Sequence, residues 1–402
     1  MRRVITYDLA EAASRIGLTA PELAHLCELG IIRPDRDGRF TPAHLRRAGL
    51  VKSLSDSGIP LEGLATAIGS GEFSLDFLDA PAFERFSALS GDTFGEVAER
   101  TGVPIEQLLF VREAAGSVAP TPDDRIRDAE LPYAEMLAAG VGAGFRPSAT
   151  HQMVRVHGDS LRRIAETEAE MWQSEVVRPA LESGQRPDQI LGIDFGDRMS
   201  ILTERSVVAM YHLQQARAWT SNIIENLEAA LAEMGLHSRL DHPPAMCFLD
   251  ISGYTRLTQE RGDEAAASLA ETLGTLVQRT SIRHGGRPVK WLGDGVMVHF
   301  PNPGRGVEAA LEMVTEVVDA GLPPAHVGLH AGPVIFQDGD YYGSTVNVAS
   351  RIADYAQAGE VMVSQAVVDA SVGAAAVFRE VGPVELKGVS GAMNLHAASL
   401  PG

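Results

Sequence analysis

At Pro244 the chain changes its period, and that change constrains the fold more than any other feature of its 402 residues. Upstream, apolar residues recur at helical spacing; downstream, short apolar runs alternate with helix-patterned segments. "AMCFLDIS" reads as a strand, "TRLTQERGDEAAASLAETLGTLVQRTSIRHG" as a long helix, and "RPVKWLGDGVMVHF" as two strands about a turn. A second helix, "GRGVEAALEMVTEVVDAG", precedes strand-like "HVGLHAGPVIFQDG", the helix "TVNVASRIADYAQAG" and the strand "EVMVS". Strand–helix–strand–strand–helix–strand is the order of the split βαβ, ferredoxin-like (βαββαβ) motif. Such a sheet covers one face with its two helices and is expected to leave the other free for a site or an interface. The predicted fold class is thus α+β, a ferredoxin-like C-terminal domain behind an all-α N-terminal half.

A chain of this length exceeds what one hydrophobic core serves, so several domains are expected. In residues 1–80, Thr19 and Thr41 each precede a run with helical apolar spacing and are predicted N-caps. "TAPELAHLCELGII", "RPDRDGRF" and "TPAHLRRAGLVKSLSDSG", in that order, resemble the MerR-like winged helix-turn-helix family. Where that family often carries Arg-Tyr-Tyr in its DNA-facing helix, this chain has Ala24-His25-Leu26. Arg36, Arg39, Arg46 and Arg47 are candidates for phosphate contact. Basic residues nevertheless do not outnumber acidic ones in residues 1–80, a poor electrostatic footprint for DNA. Protein contact or regulation is the expected use of this segment.

Residues 81–200 read as an all-helical regulatory domain. Met153, Val156, Leu161, Ile164, Met171 and Trp172 are expected to be helix-packing core. Residues 201–240 read as a connector or dimerisation helix. Within it Ala209, Leu213, Ala216, Thr220, Ile223, Leu227, Ala230 and Met234 recur at steps of four and three, the seam of a packed helix pair. Gly235 ends that pattern and "DHPP" blocks further helix. Residues 241–402 form the C-terminal domain.

Composition excludes several classes. A formal charge of −19 argues against broad binding to nucleic acid or anionic lipid. The two cysteines, Cys27 and Cys247, lie far apart in apolar surroundings and make neither a disulfide framework nor a zinc spacing. No run approaches the length of a membrane span, and no apolar segment follows Met1-Arg2-Arg3. A cytoplasmic location is expected.

Chemistry concentrates at two acids. Asp250 stands where the first strand enters a helix, and Asp294 sits in a Gly-Asp-Gly turn that interrupts an apolar run. Asp-Gly alone reads as a hairpin turn. In the split βαβ order, however, the first strand neighbours that hairpin, so the two carboxylates are expected to meet. Paired carboxylates are costly unless a cation lies between them, and a hard, oxygen-seeking ion such as Mg2+ suits them. The backbone amides of "ISGYT", including Gly253 and Thr255, are a candidate phosphate cradle at a helix start.

"FLDISGYTRL", "KWLGDGVMVHF" and "GDYYGSTVNVASR" succeed one another in that order, and residues 245–399 resemble the class III nucleotidyl cyclase catalytic domain. The resemblance implies a homodimer with composite sites at its interface, Mg2+ or Mn2+ (two ions per site), and a nucleoside triphosphate cyclised to a 3′,5′-monophosphate. It further implies Asp250, Asp294 and the Ile251 carbonyl as metal ligands, and no dedicated protein base stands out. Lys290 and Asp340 match the base-reading pair and point to ATP over GTP. Asn347 matches the ribose contact, Arg351 the group facing the α-phosphate, and Lys387 the contact to pyrophosphate. Some members carry arginine directly after the His-x-Gly of "HAG", where this chain has Pro333. His299, His326 and His330 lack ligand spacing and are expected in the core or an interface.

The expected function is an adenylate cyclase that makes cyclic AMP from ATP and is regulated through its N-terminal half by a small molecule, lipid or pH. The alternative is a MerR-like transcriptional regulator whose cyclase domain only senses nucleotide. The altered second helix and the acidic balance make DNA binding the weaker expectation.

Overall fold

The computed structural model describes residues 6–79, 89–186, 189–190, 194–236, 242–254 and 262–401. It contains two compact units, Met1–Glu225 and Asn226–Gly402. No helix among the described residues is long and apolar enough to cross a membrane.

The first unit begins with α1 (Leu9–Arg15), α2 (Ala20–Glu28), α3 (Pro42–Asp56) and α4 (Leu61–Ser70). Thr19 and Thr41 cap α2 and α3 as expected, each reciprocally with the residue three positions on, Glu22 and His44. Leu23, Leu26, Phe40, Ala48 and Val51 close a core between these helices. Several arginines considered for phosphate contact are engaged inside the unit. Arg46 donates to the Leu78 carbonyl at 3.0 Å, Arg47 pairs with Asp76 at 2.9 Å, and Arg39 donates to the Thr6 hydroxyl and carbonyl at 2.7 Å.

The N-terminal half is not all-α. β1 (Leu89–Thr93) and β2 (Arg125–Arg127) pair antiparallel. A three-residue strand offers no alternation to detect in sequence. What holds it is the largely buried Arg112, which forks onto Glu130 at 2.7 and 2.8 Å and donates to the Arg125 carbonyl at 2.8 Å. Around this ion pair lie α5 (Phe94–Thr101), α6 (Ile105–Ala114), α7 (Leu131–Gly142) and the first half of α8 (Pro147–Trp172).

A second correction concerns α8. Leu161, Ile164 and Met171 are exposed and not core. The helix packs through Val154, and Gly158 sits so close to α6 that a Cβ there would lie 2.1 Å from the Ala114 carbonyl oxygen. Beyond that pinch α8 outruns the core of its domain, and periodicity alone does not reveal where a helix leaves its partner. After α9 (Arg178–Glu182) comes α10 (Asp194–Glu233), which begins earlier than the predicted connector and ends before Gly235, whose φ is +69°. The predicted seam faces solvent, with Leu213 and Met234 each 67 % exposed.

In the second unit, β3 (Ala245–Ile251), α11 (Asp263–Arg283), β4 (Arg287–Leu292), β5 (Gly295–Phe300), α12 (Pro303–Asp319) and β6 (Ala325–Ala331) come in order. β7 (Ile335–Gln337), β8 (Asp340–Tyr342), α13 (Ser344–Tyr355), β9 (Val361–Ser364), α14 (Gln365–Asp369), β10 (Val377–Glu385) and β11 (Ala392–Ser399) complete it. Seven strands form one sheet in the order β10-β11-β9-β6-β3-β5-β4. β3 is central and runs antiparallel to both β5 and β6. Alternation along β3 sends Ala245, Cys247, Leu249 and Ile251 into the main core with α11 and α12. Cys247 is fully buried, and burial pushes its thiol up to about 12.

The opposite face is not left free. Met246 and Met297 meet Ala349 of α13 there, with Phe248, Val289, Tyr341 and Val346 around them. Gly328 of β6 makes that approach possible: a Cβ would fall 2.1 Å from the Ala353 backbone nitrogen. Strand alternation in "HVGLHA" gave no warning that a helix would lie flat against it. Gly328→Ala is therefore expected to lower unfolding stability by about 1–3 kcal/mol through overpacking. Urea denaturation measures this, and an unchanged midpoint would contradict the close approach.

Candidate functional site

The site is built on the α13 face of the sheet, where β3 ends. Asp250 lies opposite Gly295 of β5 on one side and His326 of β6 on the other. Its carboxyl is held above the usual carboxylate range, first by burial and then by the charge of Asp294. His326 and the Ile251 amide oppose that rise, whereas Asp354 of α13 adds to it. The His326 Nε2 stands 3.6 Å from the Asp250 carboxylate, and its Nδ1 lies 3.2 Å from the Ser252 hydroxyl. Spacing in the sequence assigns His326 to the core or an interface; cross-strand register puts it beside the acid pair. Only the pairing of β3 with β6 could have signalled this.

The two glycines around Asp294 do different work. Gly293 takes φ +75°, the left-handed conformation that the tight turn between β4 and β5 needs. Gly295 instead clears space, since a Cβ there would sit 2.9 Å from the Asp250 Oδ1 and 3.1 Å from the Leu249 carbonyl. The hairpin can therefore press its carboxylate toward Asp250. Two acids brought together at a partly buried strand end, with their mutual repulsion raising one of them, fit a divalent cation with oxygen ligands. Among the described residues no group of three or more His, Cys, Asp or Glu side chains is placed to hold a metal ion.

Lys290 reaches the same face through a defect in the edge strand. β4 pairs Pro288 with Val298 but Lys290 with Met297, so Val289 is an extra residue. Proline on an edge strand costs no ladder bond, and the bulge re-aims the next side chain. It turns Lys290 to the side that also carries Arg287, and the Lys290 ammonium meets Asp340 at 2.5 Å. Asp340 begins the second strand of the β7–β8 hairpin, whose turn, Asp338-Gly339, has φ +58° and +80°. Both values match the turn in which Asp-Gly is favoured.

A ring stack sits beside that pair. Tyr341 lies flat on His299, centroids 4.4 Å apart at 5°. The Arg287 guanidinium donates to the Tyr341 hydroxyl at 3.0 Å and lies 5.5 Å from the Phe336 ring centroid. Burial, and then the charge of Arg287, pushes His299 down to about 4.

The remaining candidates stand apart. Asn347 and Arg351 are exposed on α13, whose buried side carries Val348, Ala349 and Ile352, and Arg351 pairs with Asp354 at 2.7 Å. Lys387 is exposed in the turn between β10 and β11. The structure thus brings together Asp250 with Asp294, and Lys290 with Asp340, while Asn347, Arg351 and Lys387 project into solvent. In the candidate phosphate cradle, Gly253 has φ +77°. The Ser252 amide, by contrast, is already donated to the Pro324 carbonyl at 2.9 Å, because the strand end is tied to the loop before β6. Thr255 lies outside the described residues.

Residues 241–398 match the family model of the adenylate and guanylate cyclase catalytic domain. The match falls within the second unit. An adenylate cyclase of Streptomyces coelicolor is 26 % identical over 273 residues, 67 % of this chain and 69 % of that protein. A pH-sensitive adenylate cyclase of Mycobacterium tuberculosis is 27 % identical over 318 residues, 75 % of this chain and 76 % of that protein. Both alignments are longer than the matched domain, so the likeness reaches into the N-terminal half. Among solved structures, an adenylyl cyclase from P. aeruginosa aligns at 22 % identity with a TM-score of 0.36, over 40 % of this chain and 95 % of that one.

The state of His299 sets a pH dependence. The ring is neutral in the folded protein down to about pH 4, whereas its ordinary value is 6.5. Between those values the unfolded chain takes up the proton first, so folding stability falls as pH drops. Relative to His299→Phe, the protein is expected to lose roughly 3 kcal/mol between pH 6.5 and pH 4. Parallel stability profiles for the two proteins would contradict a neutral, buried ring.

Proposed function

We propose that this protein is an adenylate cyclase that converts ATP to 3′,5′-cyclic AMP and pyrophosphate. The observation that carries this reading is the meeting of Asp250 with Asp294, one strand pairing away from the Lys290–Asp340 ion pair. In the reaction the ribose 3′-oxygen bonds to the α-phosphorus, the bond from that phosphorus to the bridging oxygen breaks, and the 3′-proton leaves. Mg2+ or Mn2+ held by Asp250, Asp294 and the Ile251 carbonyl would acidify the 3′-hydroxyl and neutralise phosphate oxygens.

The chain's own residues supply recognition and charge. Lys290 donates to adenine N1 and Asp340 accepts from the exocyclic amine, so guanine, with donor and acceptor exchanged, fits poorly. Asn347 orients the ribose. Arg351, four residues on and on the same side of α13, meets the charge that grows on the α-phosphate, worth on the order of a few kcal/mol. Lys387 binds the departing pyrophosphate. Pro333 offers no charge where some cyclases have arginine; its carbonyl instead accepts the Thr345 hydroxyl at 2.7 Å, which helps fix the start of α13. Triphosphate affinity then leans on Lys387 and the metal.

Asn347 and Arg351 project away from their own sheet, which suits a homodimer in which one copy's α13 completes the other copy's metal site. The exposed seam of α10 suits the same assembly, with Leu213, Ile223, Leu227 and Met234 of two copies packed in parallel. Small shifts along α10 would change how the catalytic halves meet, and so let the N-terminal half regulate the rate.

Purified full-length protein with Mn2+ is expected to release cyclic AMP and pyrophosphate from ATP, and far less cyclic GMP from GTP. Lys290→Glu combined with Asp340→Cys is expected to erode that preference. Absence of any cyclic product across metals and pH would refute the enzyme, and an unchanged nucleotide preference would refute the base-reading roles.

A further inference from the structure

We propose that Tyr341, clamped between His299 and Arg287, is a positioning residue that sets Asp340 for base selection. This rests on the reading of Lys290 and Asp340 as the base-selecting pair. The β7–β8 hairpin belongs to a sheet of its own and has no ladder pairing with the seven-stranded sheet. Where Asp340 stands relative to Lys290 therefore depends on the short connections to β6 and α13 and on side-chain contacts. One is the Lys290–Asp340 ion pair itself. A purine that reads both groups competes for that contact, and any opening of the pair removes it as a tether.

The clamp survives that opening. Tyr341 remains stacked on His299 and hydrogen-bonded to Arg287, and Arg287 lies opposite His299 in the β4–β5 ladder. Phe336, across the hairpin from Tyr341, packs on the same guanidinium. The Tyr341 amide also donates to the Asp340 Oδ1 at 2.8 Å, which leaves Oδ2 turned to Lys290. The tyrosine ring thus fixes where the hairpin lies, while the backbone amide of the same residue sets which carboxylate oxygen is offered. Tyr341 acts through Asp340 and does not touch the base.

The test uses the full-length chain, kcat and KM for ATP and GTP, and amide exchange across residues 335–343. Tyr341→Ala is expected to lower the ATP-over-GTP preference about tenfold, mainly through the KM for ATP. Exchange across the hairpin should quicken in the same variant. Tyr341→Phe, which keeps the stack, should retain most of the preference, and this conservative change guards against a misfolded alanine variant. On a Lys290→Met background, Tyr341→Ala should cost no further preference, whereas a purely structural role would give additive losses. Unchanged preference, unchanged exchange or additive losses would overturn the clamp. Should the parent chain cyclise no nucleotide, the functional reading falls, and slow exchange in Tyr341→Ala would then overturn the clamp separately.

Discussion

The placement of Asp294 close enough to Asp250 for its charge to be felt, at the end of a central strand, is the constraint around which the second unit is arranged. Burial first, and then their repulsion, makes Asp250 hold its proton more tightly than an ordinary aspartate. Nothing in packing rewards such a pair, since apolar side chains would fill the same space at lower cost. The surrounding structure nevertheless enforces it. β3 is pinned between β5 and β6, the β4–β5 turn is tight, and Gly295 lacks the one carbon that would keep the turn away from Asp250. That enforced proximity is the basis for the proposed cation site.

From that point outward, each feature serves access or selection. The edge-strand bulge puts Lys290 on the same face as the acids, and the hairpin after β6 delivers Asp340 to it. α13 lies flat on the sheet through Gly328 and Ala349, so that its outer side holds Asn347 and Arg351 in solvent at a fixed height. The proposed homodimer rests on these exposed residues and, separately, on the bare seam of α10.

Much of this was legible in sequence because it rests on local chemistry. Thr19 and Thr41 announced helix starts through their capping oxygens, and the apolar alternation of "AMCFLDIS" located β3. Gly-Asp-Gly announced both a turn and a displaced carboxylate. What escaped depends on tertiary pairing. The bulge at Val289 flips Lys290 by a single residue, and no composition signal marks it. The partnership of His326 with Asp250 exists only through the β3–β6 register. α13 on the second sheet face, the added strands β10 and β11 and the overhang of α8 beyond Gly158 depend on which elements pack, and periodicity describes one element at a time. β2 was too short to alternate.

Manganese binding tests the central claim most directly. Titration of Mn2+ into the full-length protein with a non-cyclisable ATP analogue, tracked by electron paramagnetic resonance, counts bound ions against the analogue alone. Asp250 and Asp294 as the cation site predict strong loss of the free-ion signal with the native chain and little beyond the analogue's own binding after Asp250→Asn and Asp294→Asn are combined. Equal manganese binding by the two proteins would contradict it.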